Sequence, residues 1–261
     1  MDWLTDLLAD PAITREVPAA LGETLLMTGL SFLGTVVIGL PLGVLLHAVA
    51  PGGLLPVRWL SLVLGAIVNV TRSMPFIILI VVLIPFTRLI AGSTLGAGPA
   101  SVPLMIAAIP FFARLVESAL REVSEGKVEA ALVFGANRRD VVLKTLLPES
   151  LPTLVAAATT TLITLIGYST VAGTVGGGGL GFLAVNYGYY RSYYPVLVVT
   201  LIVLLIIVQL VQVAGDLTSR ALDHRPRSRS RRARRSSARP STTQHRRGAS
   251  PDAPSREEPH V

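Results

Sequence analysis

Between residues 24 and 46 the chain carries no ionisable side chain, and a helix needs roughly 20 such residues to cross a bilayer. Further apolar windows follow at about 57–85, 100–116, 151–172 and 195–215, the second of them interrupted by Arg72. A soluble domain would break such blocks with a charge every turn or two. The 261 residues are 51% hydrophobic and 15% charged, and their mean hydropathy is +0.61. These features predict an all-α integral membrane protein with five transmembrane helices.

Lysine and arginine in the short connections set the expected orientation. The N-terminal segment, 1–18, has one arginine, Arg15, whereas the connection between the third and fourth windows gathers Arg114, Arg121, Lys127, Arg138, Arg139 and Lys144. Five spans with the N-terminus outside put the 47–58 turn, that connection and the C-terminus in the cytoplasm, at the cost of Arg88 and Arg191 outside. The membrane domain is then 19–222, and 223–261 is a tail of arginine, serine, proline and threonine, too poor in large apolar residues to fold alone. From Arg220 onward twelve arginines face four acids, a local charge of +8 against +7 for the whole chain. Basicity therefore belongs to the tail. It is expected to be disordered and to fix topology, with anionic headgroups as second partner at about 1 kcal/mol per basic residue. No aromatic residues are interleaved with the arginines, so nucleic acid is not expected.

Several chemistries are excluded. There is no cysteine, hence no disulfide, thiolate site or cysteine nucleophile. His47, His224, His245 and His260 are too scattered for a metal site, and Asp2, Asp6, Asp10 and Glu16 replace the basic leader of a signal peptide. Gly176, Gly178 and Gly181 satisfy GxGxxG, but without the strand and acidic residue of a dinucleotide site. No GxxxxGK[ST] is present, so the chain has no phosphate-binding loop and no ATPase of its own. Ser73, Ser118 and Ser169 lack histidine and aspartate partners. No catalytic site, metal or cofactor is expected. An ion-coupled carrier is disfavoured, because no carboxylate falls inside the spans as read. The uncharged segment 173–190, glycine-rich and then aromatic-rich, survives near membrane depth only where protein or water shields its backbone. It is read as a packed or re-entrant element at the outer mouth of a pathway.

The polar connection carries the strongest pattern: Glu129-Ala130-Ala131, three residues, Gly135, nine residues, Thr145, one residue, Leu147-Pro148. Residues 126–134 and 138–146 read as short helices, with Gly135 allowing a turn between them. Small Ala130 and Ala131 permit close approach by a soluble partner, and Glu129 with Arg138 or Arg139 offers polar pairing. The spacing resembles the EAA motif of the membrane subunits of bacterial ATP-binding-cassette importers, departing from it only at Thr145, where the motif has an aliphatic residue. Asn69-Val-Thr-Arg72-Ser-Met-Pro75-Phe-Ile-Ile, Ile84-Pro-Phe-Thr-Arg88, Leu162-Ile-Thr-Leu-Ile-Gly167-Tyr-Ser, Gly176-Gly-Gly-Gly-Leu-Gly181 and Tyr187-Gly-Tyr are similar to the methionine importer permeases within that superfamily. The likeness covers about residues 18–222.

That resemblance implies a type I importer permease fold with a cytoplasmic coupling helix, working as a homodimer in the bacterial cell membrane. It implies a separate ATPase subunit that hydrolyses ATP, an extracytoplasmic binding protein and methionine as cargo. The ATPase-coupling residues would be Glu129, Ala130, Ala131, Gly135, Arg138, Leu147 and Pro148, in a loop of about 124–148. Pathway or gate candidates are Arg72, Tyr168, Ser169, Val171 and Gly173. Arg72 has three readings: snorkelling to a membrane face, pairing with a carbonyl or helix end, or lining the pathway. A structural or gating role is preferred, since Pro75 frees carbonyls that an arginine can satisfy. Two alternatives remain: a permease for another amino acid or small polar solute, and a membrane anchor that recruits a cytosolic partner without transport.

Overall fold

The computed structural model describes residues 12–223. The arginine-rich tail lies outside this range, as does most of the N-terminal segment. The helices are α1 (Val17–Val49, entered through a π-type turn at Ala12–Glu16), α2 (Arg58–Ser73), α3 (Phe76–Val82), α4 (Ile84–Ala91), α5 (Ala97–Arg121), α6 (Glu125–Val133), α7 (Leu147–Ala172), α8 (Gly179–Leu183) and α9 (Tyr194–Leu222). Among the described residues, four continuous helical stretches are long and apolar enough to span a bilayer: Ile13–Val49, Ala97–Arg121, Arg138–Gly177 and Tyr194–Leu222. A fifth span is reached when α2 and α3 are counted as one broken element.

That break corrects the sequence reading of 57–85 as a single span: α2 and α3 meet at 105°. Proline at 75 pushes the residue before it out of the helical region. Met74 is accordingly extended (φ −79, ψ 130), and Pro75 follows at ψ 130.

The most extensive packing joins α1 to α5, and it depends on absent side chains. A Cβ on Gly43 would lie 2.5 Å from Val116 Cβ and 2.6 Å from the Ala113 carbonyl, and one on Gly39 would lie 2.9 Å from Phe112 Cδ1. Gly39 and Gly43 are four residues apart, the small-xxx-small spacing that lets membrane helices approach without a hydrophobic driving force. On the same contact Ser31 Oγ sits 3.0 Å from the Ser101 carbonyl. The opposite side of α1, including Leu25, Leu33 and Val37, is exposed. Farther along, Gly215 of α9 abuts Thr159 of α7, and Ser219 Oγ donates to the Pro152 carbonyl at 2.9 Å.

Two further boundaries move. The segment 138–146, read as a separate short helix, is continuous with the fourth span in a stretch of 40 residues. One α turn, Arg138–Asp140, passes into a π-type stretch, Val141–Leu146, and then α7. Pro148 in the first turn of α7 supplies no N–H, and the wider π ladder accommodates that gap without ending the helix. The third span runs on to Arg121 and takes Glu117 inside, 4% exposed. An acid had not been expected within a span. Arg114 and Arg121, one turn away on either side, both pair with it, Arg121 at 2.5 Å, which offsets the cost of burying the carboxylate.

The 173–190 segment is packed, as its composition implied. The turn Gly173–Gly177 leaves helical geometry at Val175 and Gly176 (φ 101). The Gly96 N–H donates to the Gly176 carbonyl at 2.9 Å. Two groups on α1 then hold the next turn: Glu23 Oε2 accepts from the Gly179 N–H at 2.6 Å, and Thr24 Oγ1 accepts from the Leu180 N–H at 2.9 Å. Leu180 and Leu183 are buried with Ile13, Val17, Ala20 and Val196.

Candidate functional site

The EAA spacing has a local structural cause. α6 ends in a Schellman arrangement: the Ala136 N–H donates to the Ala131 carbonyl at 3.0 Å, and the Gly135 N–H to the Leu132 carbonyl at 2.9 Å. Gly135 takes φ 83, with nothing within 4 Å of its missing side chain. The glycine is therefore required by backbone conformation and not by packing. Asn137 then starts the next helix, its Oδ1 accepting from the Asp140 N–H at 2.9 Å, as a helix N-cap does.

The two arms of this turn are fixed to the bundle and to each other. Val128, Ala131 and Ala136 pack on a buried cluster that includes Phe112, Val116, Leu120, Val141 and Leu146. Lys127 of α6 pairs with Glu149 in the first turn of α7, and Lys144 with Asp140 at 2.7 Å. The remaining surface is uncovered. Val133 is 86% and Phe134 91% exposed, and Glu129, Arg138 and Arg139 make no ion pair among the described residues. Glu129 and Ala130 lie on the exposed side, Ala131 and Leu147 are half-buried, and Pro148 is exposed. A groove of about 690 Å³ separates α6 from the turn after α1, with His47, Pro51, Arg121, Glu125, Glu129 and Arg138 on its walls.

The gate candidates fall into separate local settings. Tyr168 is half-buried and stacks on Phe76, ring centroids 4.4 Å apart and 5° from parallel, so α7 touches α3 immediately after the Pro75 break. Ser169 is buried and donates to the Ile166 carbonyl of its own helix at 2.7 Å. Val171 is half-buried. Gly173 is buried, and a Cβ there would lie 2.6 Å from the Phe182 nitrogen. Arg72 occupies the last turn of α2, where a cation complements the helix end, and its guanidinium lies 5.9 Å from the Phe111 ring centroid. No hydrogen bond, ion pair or ring contact links Arg72 to the other four among the described residues. Sequence reasoning missed Phe76 and Phe111, which carry these contacts, and the bare tip at Leu132–Phe134. Three consecutive apolar residues before a capping glycine, outside any span, were the available signal for the tip. Among the described residues no cluster of His, Asp and Glu is placed to hold a metal.

A helical bundle with this exposed turn has counterparts among known proteins. The family model described as binding-protein-dependent transport system inner membrane component matches residues 39–227. The chain belongs to this family. It is 48% identical over 203 residues, 78% of its length and 90% of the relative's, to a probable D-methionine transport system permease protein of Vibrio cholerae. It is 44% identical over 181 residues, 69% of its length and 82% of the relative's, to the methionine import system permease protein of Bacillus subtilis. Among solved structures, an inward-facing conformation of the MetNI methionine ABC transporter aligns with a TM-score of 0.80 at 47% identity, covering 82% of this chain and 99% of that one. The fold is that of a type I importer permease, and the permease is a multi-pass inner-membrane component.

Proposed function

We propose that the chain is the membrane-spanning subunit of an ATP-binding-cassette importer for methionine, pairing with a second copy to form the pathway and driven by a separate ATPase. One observation carries this reading. The exposed Leu132-Val133-Phe134 tip stands at the head of a continuous helix, Arg138–Gly177, whose far end holds Tyr168, Ser169, Val171 and Gly173. A short helix presenting bare apolar side chains and free charges fits a cleft in a soluble partner. Motion of that cleft is passed on because α6 cannot move alone: its Schellman turn, the Lys127–Glu149 pair and its buried contacts tie it to α7. At the other end, displacement of α7 shifts Tyr168 against Phe76 at the α2–α3 break, where a bent span has little backbone pairing to resist it.

In this assignment Glu129, Ala130, Ala131, Gly135 and Arg138 meet the ATPase, and Leu147 and Pro148 join the loop of about 124–148 to the span. Arg72, Tyr168, Ser169, Val171 and Gly173 are the pathway or gate positions. The membrane domain is 19–222, with 1–18 outside and the arginine tail in the cytoplasm. The turn after α1 and the coupling turn line one groove, as the positive-inside orientation requires of two cytoplasmic connections. An extracytoplasmic binding protein delivers methionine to the opposite face.

The deciding experiment reconstitutes the chain with its ATPase and binding protein and measures ATP-dependent uptake of labelled methionine against other amino acids. Methionine uptake that needs ATP and is lost in Glu129→Lys supports the proposal. Uptake of another amino acid in its place overturns the cargo, and uptake unaffected by Glu129→Lys with ATPase docking lost overturns the coupling.

A further inference from the structure

A second groove at the coupling end differs from the first in chemistry. It encloses about 510 Å³ between the last turns of α1, the turn that follows and the start of the Arg138–Gly177 helix. Leu40, Val44 and Leu45 form one wall, Leu55 closes the end, and Val142 and Leu143 form the other wall. The only charged groups on it are Arg138 and Arg139. Neither is in an ion pair among the described residues, and the neighbouring Asp140 pairs with Lys144 at 2.7 Å. Arg138 also borders the larger groove with Glu125 and Glu129, so Arg139 is the charge that belongs to this groove alone.

The groove sits at the depth where a bilayer changes from hydrocarbon to headgroup. Its α1 wall is the end of the first span, with Leu45 40% exposed, and Trp59 and Arg58 open α2 just past Leu55. Tryptophan and arginine at a span boundary mark the interface. Aliphatic walls without a hydrogen-bonding group suit an acyl chain, which needs none. The Arg139 guanidinium on its lining suits a phosphate, which it can bind bidentately. An extended protein segment placed there would leave its own backbone groups unpaired against those walls.

We propose that this groove holds one anionic phospholipid, its acyl chain between α1 and residues 142–147 and its phosphate on Arg139. The lipid then contacts the helix that begins at the coupling turn, and binding of an anionic headgroup biases the position of that helix. The proposal does not depend on which solute is carried.

The test uses the full chain, purified in detergent with the subunits it assembles with. Phosphatidylglycerol and phosphatidylcholine of matched chains are supplied in equal amounts, and retained lipid is counted by native mass spectrometry. Retention of phosphatidylglycerol at least about tenfold over phosphatidylcholine is expected, lost in Arg139→Gln and kept in Arg139→Lys. Leu143→Trp, which fills the groove from its exposed rim, should lower retention with the arginines intact. Equal retention of the two lipids, or preference for phosphatidylglycerol unchanged in Arg139→Gln, overturns the proposal. So does near-complete disulfide cross-linking between copies through Leu143→Cys, which would make the groove a contact between permeases.

Discussion

Two connections in this chain are punctuated by glycine, and they use it in opposite ways. Between α7 and α9 a Cβ on Gly181 would lie 2.4 Å from the Thr170 backbone, one on Gly173 2.6 Å from the Phe182 nitrogen, and one on Gly188 2.6 Å from Leu197 Cβ. Between α5 and α7, Gly126 and Gly135 have nothing within 4 Å. In the first connection glycine makes room for protein already present. In the second neither glycine is needed for packing: Gly135 lets the backbone turn, and the space around both is empty. The proposed gate and coupling roles of the two ends of α7 rest on that difference.

The contrast breaks first at the crowded end. Gly181→Leu forces a side chain into backbone that cannot move aside, and overpacking of this kind costs about 3 kcal/mol or more. Thermal unfolding in detergent should show loss of the folded bundle, and an unchanged melting temperature would refute the packed reading. Glu23→Ala is milder. It leaves the Gly179 N–H without the acceptor now at 2.6 Å, a loss of about 2 kcal/mol for a hydrogen bond to a charged group. Hydrogen exchange should speed up at Gly179 and Leu180 with the rest of the bundle still protected. Uniform acceleration across all the helices would instead mean that Glu23 supports the whole fold.

The sequence revealed whichever features arise from neighbouring residues. Charge-free windows located the spans, because desolvation acts residue by residue. The α6–Gly135 turn was visible because a helix cap is local chemistry. Features that depend on pairing across the fold were hidden. Pro75 marked a break, but no local signal encodes the 105° between α2 and α3, which depends on what each packs against. Glu117 looked like the polar end of a span, since its burial depends on Arg114 and Arg121 closing over it. Gly39 and Gly43 were passed over inside an apolar run, where their spacing acquires meaning only once α5 lies across it. Tyr168 and Phe76 are far apart in the chain, so their stacking had no signature.

At the bare end, effects on function and on stability should separate. Phe134→Ser changes a side chain that is 91% exposed, and such surface changes alter stability by about 0.5 kcal/mol or less. ATP-driven uptake should nevertheless fall about tenfold, corresponding to about 1.4 kcal/mol of lost docking energy. Normal uptake by this variant would remove the tip from the coupling surface. Gly135→Asn is the finest test, because it keeps the conformation and changes only the occupancy. Asparagine enters the left-handed region more readily than other residues with side chains, and nothing stands within 4 Å to clash with it. Folding should therefore lose less than about 1 kcal/mol. Gly173→Asn, placing a Cβ 2.6 Å from the Phe182 nitrogen, should unfold the turn at Gly173–Gly177. If uptake by Gly135→Asn is intact, the glycine serves the turn alone. If uptake falls while the melting temperature holds, the emptiness around Gly135 is the partner's space, and the crowding at Gly173 is the permease's own.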